Sequence, residues 1–399
     1  MADPDSRTPL SPRPIDLERA IHEEVMDLSA PLVDLSHRIH ANPELGHEER
    51  LASAWCAEIL RSNAFEITAP VAGLETAFRA RRGRGRPAVA FLAEYDALPG
   101  VGHACGHNII AASTVGAGLA LARALHRTGV AATVIVDGTP AEETTGGKIP
   151  MVEAGLYEDV DVAFSMHPQD RTAAGGTSLG VRRLALAFHG RAAHAAAEPE
   201  KGVNALDAVL QTFAAVNALR QHVRPDVRIH GIITDGGRAT NIVPDFARCE
   251  ISVRSVDPGY LSALVEKVLN CARAAALASG ARLEASQAEA YAPIRENRVL
   301  DGLVLEVMED LGCPCEDLRG ACFPASTDFG NVSQVVPATV VMFKVAPPGV
   351  VLHHPDFAAA SVSPEADEVV LTAARVLAVA AARLVTDPAR LEEVRAAGR

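Results

Sequence analysis

Side chains that can bind metal ions or transfer protons follow four separate apolar stretches of this sequence. They lie at 94–108, 137–143, 166–168 and 352–355, and each group contains histidine, cysteine or carboxylate side chains. These are the protein ligands of zinc-like divalent cations. If the apolar stretches are strands of an open α/β sheet, their carboxyl ends meet at one edge. The four groups together therefore predict a metal site at that edge.

One of these groups contains Cys105 and His107, with a single glycine between them. The glycine allows the chain to turn so that a thiolate and an imidazole can face the same cation. A different interpretation makes Cys105 a buried free cysteine beside a helix N-cap at Asn108. The other three strand ends favour the metal-ligand interpretation.

Two adjacent glutamates, Glu142 and Glu143, form a second group. Adjacent residues of an extended segment point to opposite sides, so one carboxylate can bind metal while the other acts as a general base. The alternative is a pair of surface glutamates on a turn. His167 and His353 complete the candidate set, and local chemistry does not choose between His353 and His354.

The elements that must position these residues are short apolar strands separated by helices. Runs without alternation, which are typical of strands buried on both faces, occur at 88–93, 133–136, 160–165 and 339–343. Helical stretches lie between them, notably at 109–126. Strands that alternate with helices predict an α/β layered sheet.

The middle of the chain has a different pattern. Strands at 184–188, 228–233 and 247–253 are separated by helices at about 203–219 and 260–279. The resulting β-α-β-β-α-β order predicts a ferredoxin-like α+β domain inserted at 177–292. The larger catalytic domain then comprises 17–176 and 293–399, and we expect 1–16 to be a disordered lead-in.

Composition argues against several classes of protein. The 399 residues are too many for one ordinary core, and the formal net charge of −13 disfavours a nucleic-acid binder. The Arg/Gly run at 79–86 is interpreted as a solvated turn. Arg375 and Arg383 interrupt the most apolar helical stretch, 369–385, which indicates a buried amphipathic helix rather than a membrane span. Seven scattered cysteines fit no disulfide framework, so we expect a cytoplasmic protein.

Six motifs, taken in this order, resemble the M20 family of metallopeptidases and amidohydrolases. They occur at 102–108 (GHACGHN), 138–143 (GTPAEE), 166–168 (MHP), 190–206, 240–244 (TNIVP) and 353–357 (HHPDF). The resemblance extends over about 17–385. The segment 326–333 (STDFGNVS) is similar to the cysteine-ligand branch, which includes aminoacylase-1-like proteins and aminobenzoyl-glutamate hydrolase.

This resemblance implies a zinc-peptidase-like catalytic domain, with a mixed sheet flanked by helices, and it implies residue roles. Two divalent cations, most simply zinc with manganese or cobalt as alternatives, would be held by Cys105, His107, Glu143, His167 and His353. His353 is preferred to His354 because the family pattern is His-x-Pro. Glu142 would be the general base, and Asp96 would orient the ligands from behind.

The inserted domain would be a lid and dimerisation domain. Its His194 would reach the partner subunit's active site and stabilise the oxyanion, while Asn241 and Arg254 would bind the terminal carboxylate of the substrate. The implied reaction is hydrolysis of the amide bond of an N-acyl amino acid or a dipeptide by a metal-activated water. The implied assembly is a homodimer with no nucleic-acid or membrane partner.

The first predicted strand ends in Glu94-Tyr95-Asp96, where many members of the family carry His-x-Asp. Cys105 would take over a metal-binding role, which fits the cysteine-ligand subgroup. Two rival functions remain open. One is a hydrolase in which Cys105 is the nucleophile and His107 or His103 is the base. Such a mechanism does not require Glu142 or Glu143. The other is a non-catalytic metal-binding protein that retains the fold.

Overall fold

A computed structural model describes residues 14–398 of the chain, which form strands and helices. The strands, in chain order, are β1 (Glu66–Thr68), β2 (Phe78–Gly83), β3 (Ala88–Ala93), β4 (Thr133–Gly138), β5 (Val162–Gln169), β6 (Ala173–Ala174), β7 (Gly180–His189), β8 (Arg228–Asp235), β9 (Phe246–Ser255), β10 (Arg282–Tyr291), β11 (Glu316–Asp317) and β12 (Ala338–Lys344). The helices are α1 (Pro14–Asp27), α2 (Ser29–Ala41), α3 (Arg50–Ser62), α4 (His107–Thr128), α5 (Lys148–Glu153), α6 (Ala205–Leu219), α7 (Pro258–Ser279), α8 (Arg298–Asp310), α9 (Phe329–Ser333), α10 (Pro355–Ala360), α11 (Pro364–Thr386) and α12 (Pro388–Ala397).

The chain divides into two compact units. The first comprises the chain up to Gly176, Arg295–Ala321 and the chain from Val332 onward, and the second comprises Thr177–Ile294 with Cys322–Asn331. The predicted boundaries place 322–331 in the catalytic domain, but the contacts of this segment are with the second unit. The expected lead-in at 1–16 lies mostly outside the described residues, and α1 begins at Pro14, three residues before the predicted helix.

The first unit is built on a mixed eight-stranded sheet in the order β1-β2-β4-β3-β5-β12-β6-β11. Strands β3, β4, β5 and β12 are parallel neighbours, so their carboxyl ends meet at one edge. Every residue of β3 and β4 is buried, as their unbroken apolar runs predict. Strand β5 continues to Gln169 because it pairs with β12 as far as Lys344, and His167 therefore lies within the strand rather than after it.

The Arg/Gly run at 79–86 is not a solvated turn throughout, so that prediction was wrong for its first half. Residues 79–83 belong to β2, which pairs antiparallel with β4. Arg79 Nη2 lies 2.7 Å from Oδ2 of the fully buried Asp137. A buried charge requires a partner of opposite charge. Because this partner comes from the neighbouring strand, the local sequence does not reveal it.

Two long helices form the centre of the helical layer of the first unit. By length and composition α4 and α11 could cross a membrane, but 89% and 67% of their most apolar windows are buried inside the protein. Both contribute to the same apolar core, and the predicted buried helix at 369–385 lies within α11. Both are therefore core helices of the first unit.

The second unit has the predicted ferredoxin-like arrangement. Its sheet has the order β10-β7-β9-β8 and is antiparallel throughout. Strand β9 alternates between buried and more exposed positions, as expected where only one face of a sheet packs on helices. Helices α6 and α7 supply the other half of this unit's apolar core.

Candidate metal centre

Three overlapping groups of potential metal ligands lie at the carboxyl edge of the parallel strands. Within each group, the ligand atoms all lie within 4.8 Å of one another. The groups are Cys105 with His107 and His167, Cys105 with Glu143 and His353, and His107 with Glu142 and Glu143. The structure thus brings together all five predicted ligands and the predicted base, and we call these six residues the donor cluster.

The turn before α4 explains how Cys105 and His107 reach the same point. Gly106 lies between them with φ of +76°, a conformation that favours glycine. A Cβ atom there would also lie 2.5 Å from Cγ of Pro168. His107 is the first residue of α4, and Gly106 is its N-cap. The predicted cap, Asn108, instead lies inside the helix, where its amide donates to Ser36 Oγ and to the Ser361 carbonyl.

The two glutamates do not lie on an extended segment, so that part of the prediction was wrong. Residues 142–145 form a turn. The turn brings both carboxylates to the same side, with Glu142 Oε2 4.0 Å and Glu143 Oε1 3.8 Å from His107 Nε2. It starts at Ala141, which has φ of +60°. The Ala141 carbonyl accepts a hydrogen bond from the Gly146 N–H at 2.9 Å, which closes the turn.

Tertiary structure distinguishes the two adjacent histidines. His353 Nε2 lies 3.3 Å from Glu143 Oε1, and the His353 backbone, with φ of +66°, donates to the Ala104 carbonyl. His354 is instead the N-cap of α10, where its Nδ1 accepts from the Asp356 N–H. Only His353 of the pair therefore joins the donor cluster.

Asp96 connects two members of the cluster from behind. Its Oδ1 lies 2.9 Å from His107 Nδ1, and its Oδ2 accepts the Glu143 backbone N–H at 3.0 Å. A carboxylate on Nδ1 fixes the ring so that Nε2 faces the cluster, which is the usual support for a metal-binding histidine. Nε2 of His107 is buried and has no hydrogen-bond partner among the described residues. An orphaned imidazole nitrogen beside a thiol and two carboxylates fits a divalent cation of the zinc type.

Electrostatics of the cluster favour a metal ligand over a free nucleophile at Cys105. Burial, reinforced by the charge of Glu143, raises the pKa of the Cys105 thiol well above its usual range. Reactive cysteines need the opposite shift, whereas a bound cation deprotonates a coordinating thiol outright. Burial also acts to raise the pKa of Glu143, but His353 and His107 outweigh it and lower that pKa to about 2. Glu143 is therefore ionised across the neutral range.

Three residues to which the sequence analysis assigned no role support this region. Glu49 accepts the Ala141 N–H at 2.7 Å and the Thr76 hydroxyl at 2.9 Å, and burial raises its pKa to about 7. Glu94 follows β3 and pairs with the fully buried Lys148 at 2.8 Å. Glu94 belongs to the group at 94–108, which follows a buried strand, but nothing local indicates Glu49 or Lys148.

The predicted residues of the second unit are held differently. His194 and Asn241 are exposed, and they lie in neighbouring segments because the Ala195 N–H donates to the Asn241 carbonyl. His194 Nδ1 accepts the N–H groups of Ala196 and Ala197. Arg254 lies half-buried on β9, where its Nη1 donates to Ser326 Oγ at 2.7 Å.

Known peptidases and amide hydrolases are similar to this chain in sequence. The sequence profile of peptidase family M20/M25/M40 matches residues 90–382. Xaa-Arg dipeptidase of Mus musculus is 39% identical, over 95% of this chain and 91% of the relative. One of the chains of p-aminobenzoyl-glutamate hydrolase from Escherichia coli (strain K12) is 31% identical, over 70% of this chain and 62% of the relative.

Solved structures share the fold at lower identity. A dinuclear metal-binding peptidase of the M20 family from Bacillus subtilis has a TM-score of 0.69 at 21% identity, over 90% of this chain and 99% of that one. An aminobenzoyl-glutamate utilization protein from Klebsiella pneumoniae has a TM-score of 0.67 at 20% identity, over 88% of this chain and 97% of that one.

Proposed function

The chain belongs to peptidase family M20/M25/M40, and from that premise we propose which of its residues carry out metal-dependent amide hydrolysis and on which substrates. Membership confirms the resemblance inferred from the six motifs. The relatives include a dipeptidase and an aminobenzoyl-glutamate hydrolase, which supports metal-dependent cleavage of an amide bond.

Two divalent cations are held by Cys105, His107, Glu143, His167 and His353, with zinc the first choice and manganese or cobalt the alternatives. The observation that carries this proposal is the convergence of all five side chains, from β5 and from the segments that follow β3, β4 and β12, into groups whose ligand atoms lie within 4.8 Å. When bound, such a pair of cations acidifies a water molecule and polarises the carbonyl of the amide.

Glu142 is the general base. Its Oε2 lies 4.0 Å from His107 Nε2, so its carboxylate lies at the donor cluster without being one of the five proposed ligands. Glu142 takes the proton of the attacking water and later delivers it to the leaving amine. Asp96 keeps the His107 ring and the Glu143 backbone in place during this transfer.

The substrate is an N-acyl amino acid or a dipeptide with a free carboxylate beside the scissile amide. Arg254 offers a planar set of donors suited to a carboxylate, and Ser326 holds its guanidinium on β9. Asn241 contributes a second polar contact. The mouse relative is named for dipeptides that end in arginine, so such dipeptides come first in a substrate search.

The second unit acts as a lid and as the dimer contact of a cytoplasmic homodimer. His194 stabilises the oxyanion in the site of the partner subunit. Support for this role comes from the exposure of the His194 ring and from the two backbone N–H groups that donate to its Nδ1, so that Nε2 is the nitrogen left to donate.

The central experiment is a metal-supplemented substrate screen. Protein stripped by a chelator is reloaded with zinc, manganese or cobalt and offered N-acyl amino acids, dipeptides and p-aminobenzoyl-glutamate, and the released amine is measured. We expect hydrolysis only by reloaded protein. Failure of fully metal-loaded protein to cleave any of these amides would rule out the proposed substrates, and hydrolysis that survives chelation would point to Cys105 as a nucleophile.

Mixing of two inactive variants tests the role of His194. Co-expressed His194→Ala and Glu142→Gln chains should give heterodimers with about half of the wild-type activity, because one of the two sites is complete. Heterodimers verified by differential tags but devoid of activity would count against a histidine supplied by the partner.

A further inference from the structure

A buried ion pair lies directly beside the donor cluster. Lys148 Nζ is 2.8 Å from Glu94 Oε1, and the side chains of the two residues are 0% and 5% exposed. Among residues 14–398, no other lysine or arginine is buried to this degree. Removing a lysine ammonium from water is costly, so its presence here requires a local compensation.

The backbone before α5 is built to put this lysine inside. Gly146 has φ of +75°, and a Cβ atom on Gly147 would lie 2.1 Å from the Pro140 carbonyl oxygen. Two glycines therefore allow the chain to fold back over Pro140 after the glutamate turn. As a result, Lys148, the first residue of α5, enters the core under the strand ends.

Glu94 is placed between the lysine and the cluster. While its Oε1 faces Lys148, its Oε2 lies 3.6 Å from His107 Nε2, the orphaned nitrogen that faces the cluster. Glu94 has the chemistry of a metal ligand and lies close to one, yet it belongs to none of the three donor groups. Its other carboxylate oxygen is held by the lysine.

Charge gives the pair a role. Four carboxylates, those of Glu94, Asp96, Glu142 and Glu143, lie in or beside the cluster together with the Cys105 thiol. Ionised together, they carry one negative charge more than two divalent cations can neutralise. Lys148 supplies the missing positive charge, and a neutral buried site is the least costly arrangement.

We propose that Lys148 is a positioning residue: by neutralising Glu94, it keeps that carboxylate from becoming an extra metal ligand and limits how tightly the cluster binds divalent cations. The inference rests on the proposed metal site. It assigns to the lysine a control of metal affinity that a purely structural ion pair would not have.

The test is a titration of purified protein with Zn²⁺ against a competing chromophoric chelator. Lys148→Met removes the charge and keeps a side chain of similar length. We expect this variant to bind Zn²⁺ at least ~10-fold more tightly than the wild type, because a positive charge near the cations is lost and Glu94 is released. Adding Glu94→Gln to Lys148→Met should abolish most of the gain, since the released carboxylate is then absent.

The second comparison protects the test against a variant that does not fold. This comparison is between Glu94→Gln and the double variant Glu94→Gln/Lys148→Met, which differ only at position 148. The double variant has lost both charges of the ion pair, so neither partner is left buried and unpaired. Here too the chain with methionine should bind Zn²⁺ more tightly. Cobalt absorption spectra of these two variants should match that of the wild type, because neither changes a ligand.

Lys201→Met is the matched control, because Lys201 is an exposed lysine that pairs with Glu198. Its Zn²⁺ affinity should equal that of the wild type. Unchanged or weaker Zn²⁺ binding on loss of Lys148 in both comparisons would overturn the inference. Wild-type protein that binds no Zn²⁺ would overturn the proposed metal site instead, so the two failures are distinguishable.

Discussion

The candidate residues of the two units are held in opposite ways. In the first unit, Cys105 and His107 are buried, and the buried Asp96 holds both His107 and Glu143. In the second unit, His194 and Asn241 are exposed and rest on backbone contacts. The first unit therefore gathers its candidate residues in a buried cluster, whereas those of the second unit lie at its surface.

Backbone conformation follows the same division. Non-glycine residues with positive φ, among those described, all lie in the first unit, and two of them adjoin or belong to the donor cluster: Ala141 at +60° and His353 at +66°. Such conformations cost about 1–3 kcal/mol each and persist only where the surroundings enforce them. The Ala141 N–H donates to the Glu49 carboxylate and the His353 N–H donates to the Ala104 carbonyl, and these hydrogen bonds hold the two residues in place. The donor cluster is therefore preorganised at a cost in stability, while the second unit carries no comparable strain among its described residues.

The largest expected effect concerns the base of the buried cluster. Glu142→Gln keeps the size of the side chain but removes the proton acceptor. We expect kcat to fall by ~10²–10⁴ with metal content unchanged, because Glu142 is not among the five proposed ligands. Metal analysis and turnover on the best substrate of the screen check this. Turnover close to that of the wild type would show that Glu142 of the first unit is not the general base.

Asp96→Asn should weaken metal binding by ~10–100-fold. The amide supports His107 Nδ1 less well than the carboxylate, and it accepts only one of the two hydrogen bonds that Asp96 accepts. Chelator competition measures the change. Asp301→Asn is the control, because Asp301 is equally buried in the same unit but contacts Thr339. Equal affinity in the two variants would show that the cluster does not depend on its support.

Glu49 tests whether that preorganisation costs stability. Burial raises its pKa in the folded protein to about 7 from 4.5. Below pH 4.5 the carboxyl is protonated in both states and carries no penalty, whereas from pH 4.5 to 7 the unfolded chain ionises first and the folded state loses stability. Glu49→Gln removes this dependence.

Unfolding by urea at about pH 5 and about pH 8 measures the effect of Glu49→Gln. The variant should gain about 2–3 kcal/mol relative to the wild type between these two conditions. If the free energies of unfolding of the two proteins differ by the same amount at both pH values, burial does not raise the pKa of Glu49.

The smallest expected effect belongs to the second unit. Arg254→Lys should lower kcat/KM by ~10-fold for substrates with a free carboxylate, because a lysine cannot reproduce the planar set of donors. The same substrate with its carboxylate capped as an amide should be poor for the wild type and insensitive to the substitution. If capped and free substrates are cleaved equally well by wild-type protein, Arg254 does not anchor the carboxylate and the second unit has a different role.

Much of the fold was predictable because its central strands are buried on both faces. Continuous apolar runs placed β3, β4 and β12 almost to the residue, and the β-α-β-β-α-β order predicted the second unit. The short strands β6 and β11 were not predicted, since two residues leave no periodic signal. Strand β2 was missed because its arginines are paired with carboxylates from other parts of the chain.

The sequence by itself determined which residues could bind metal, because strand ends and ligand types are local properties. Tertiary structure decided which atoms face one another. It selected His353 over His354, turned Glu142 and Glu143 to the same side, and brought Glu49 to Ala141 across 92 positions of the chain. It also placed Lys148 against Glu94. Hydrogen bonds and burial couple positions that are distant in sequence, so no local pattern can reveal a buried lysine or the carboxylate that it neutralises.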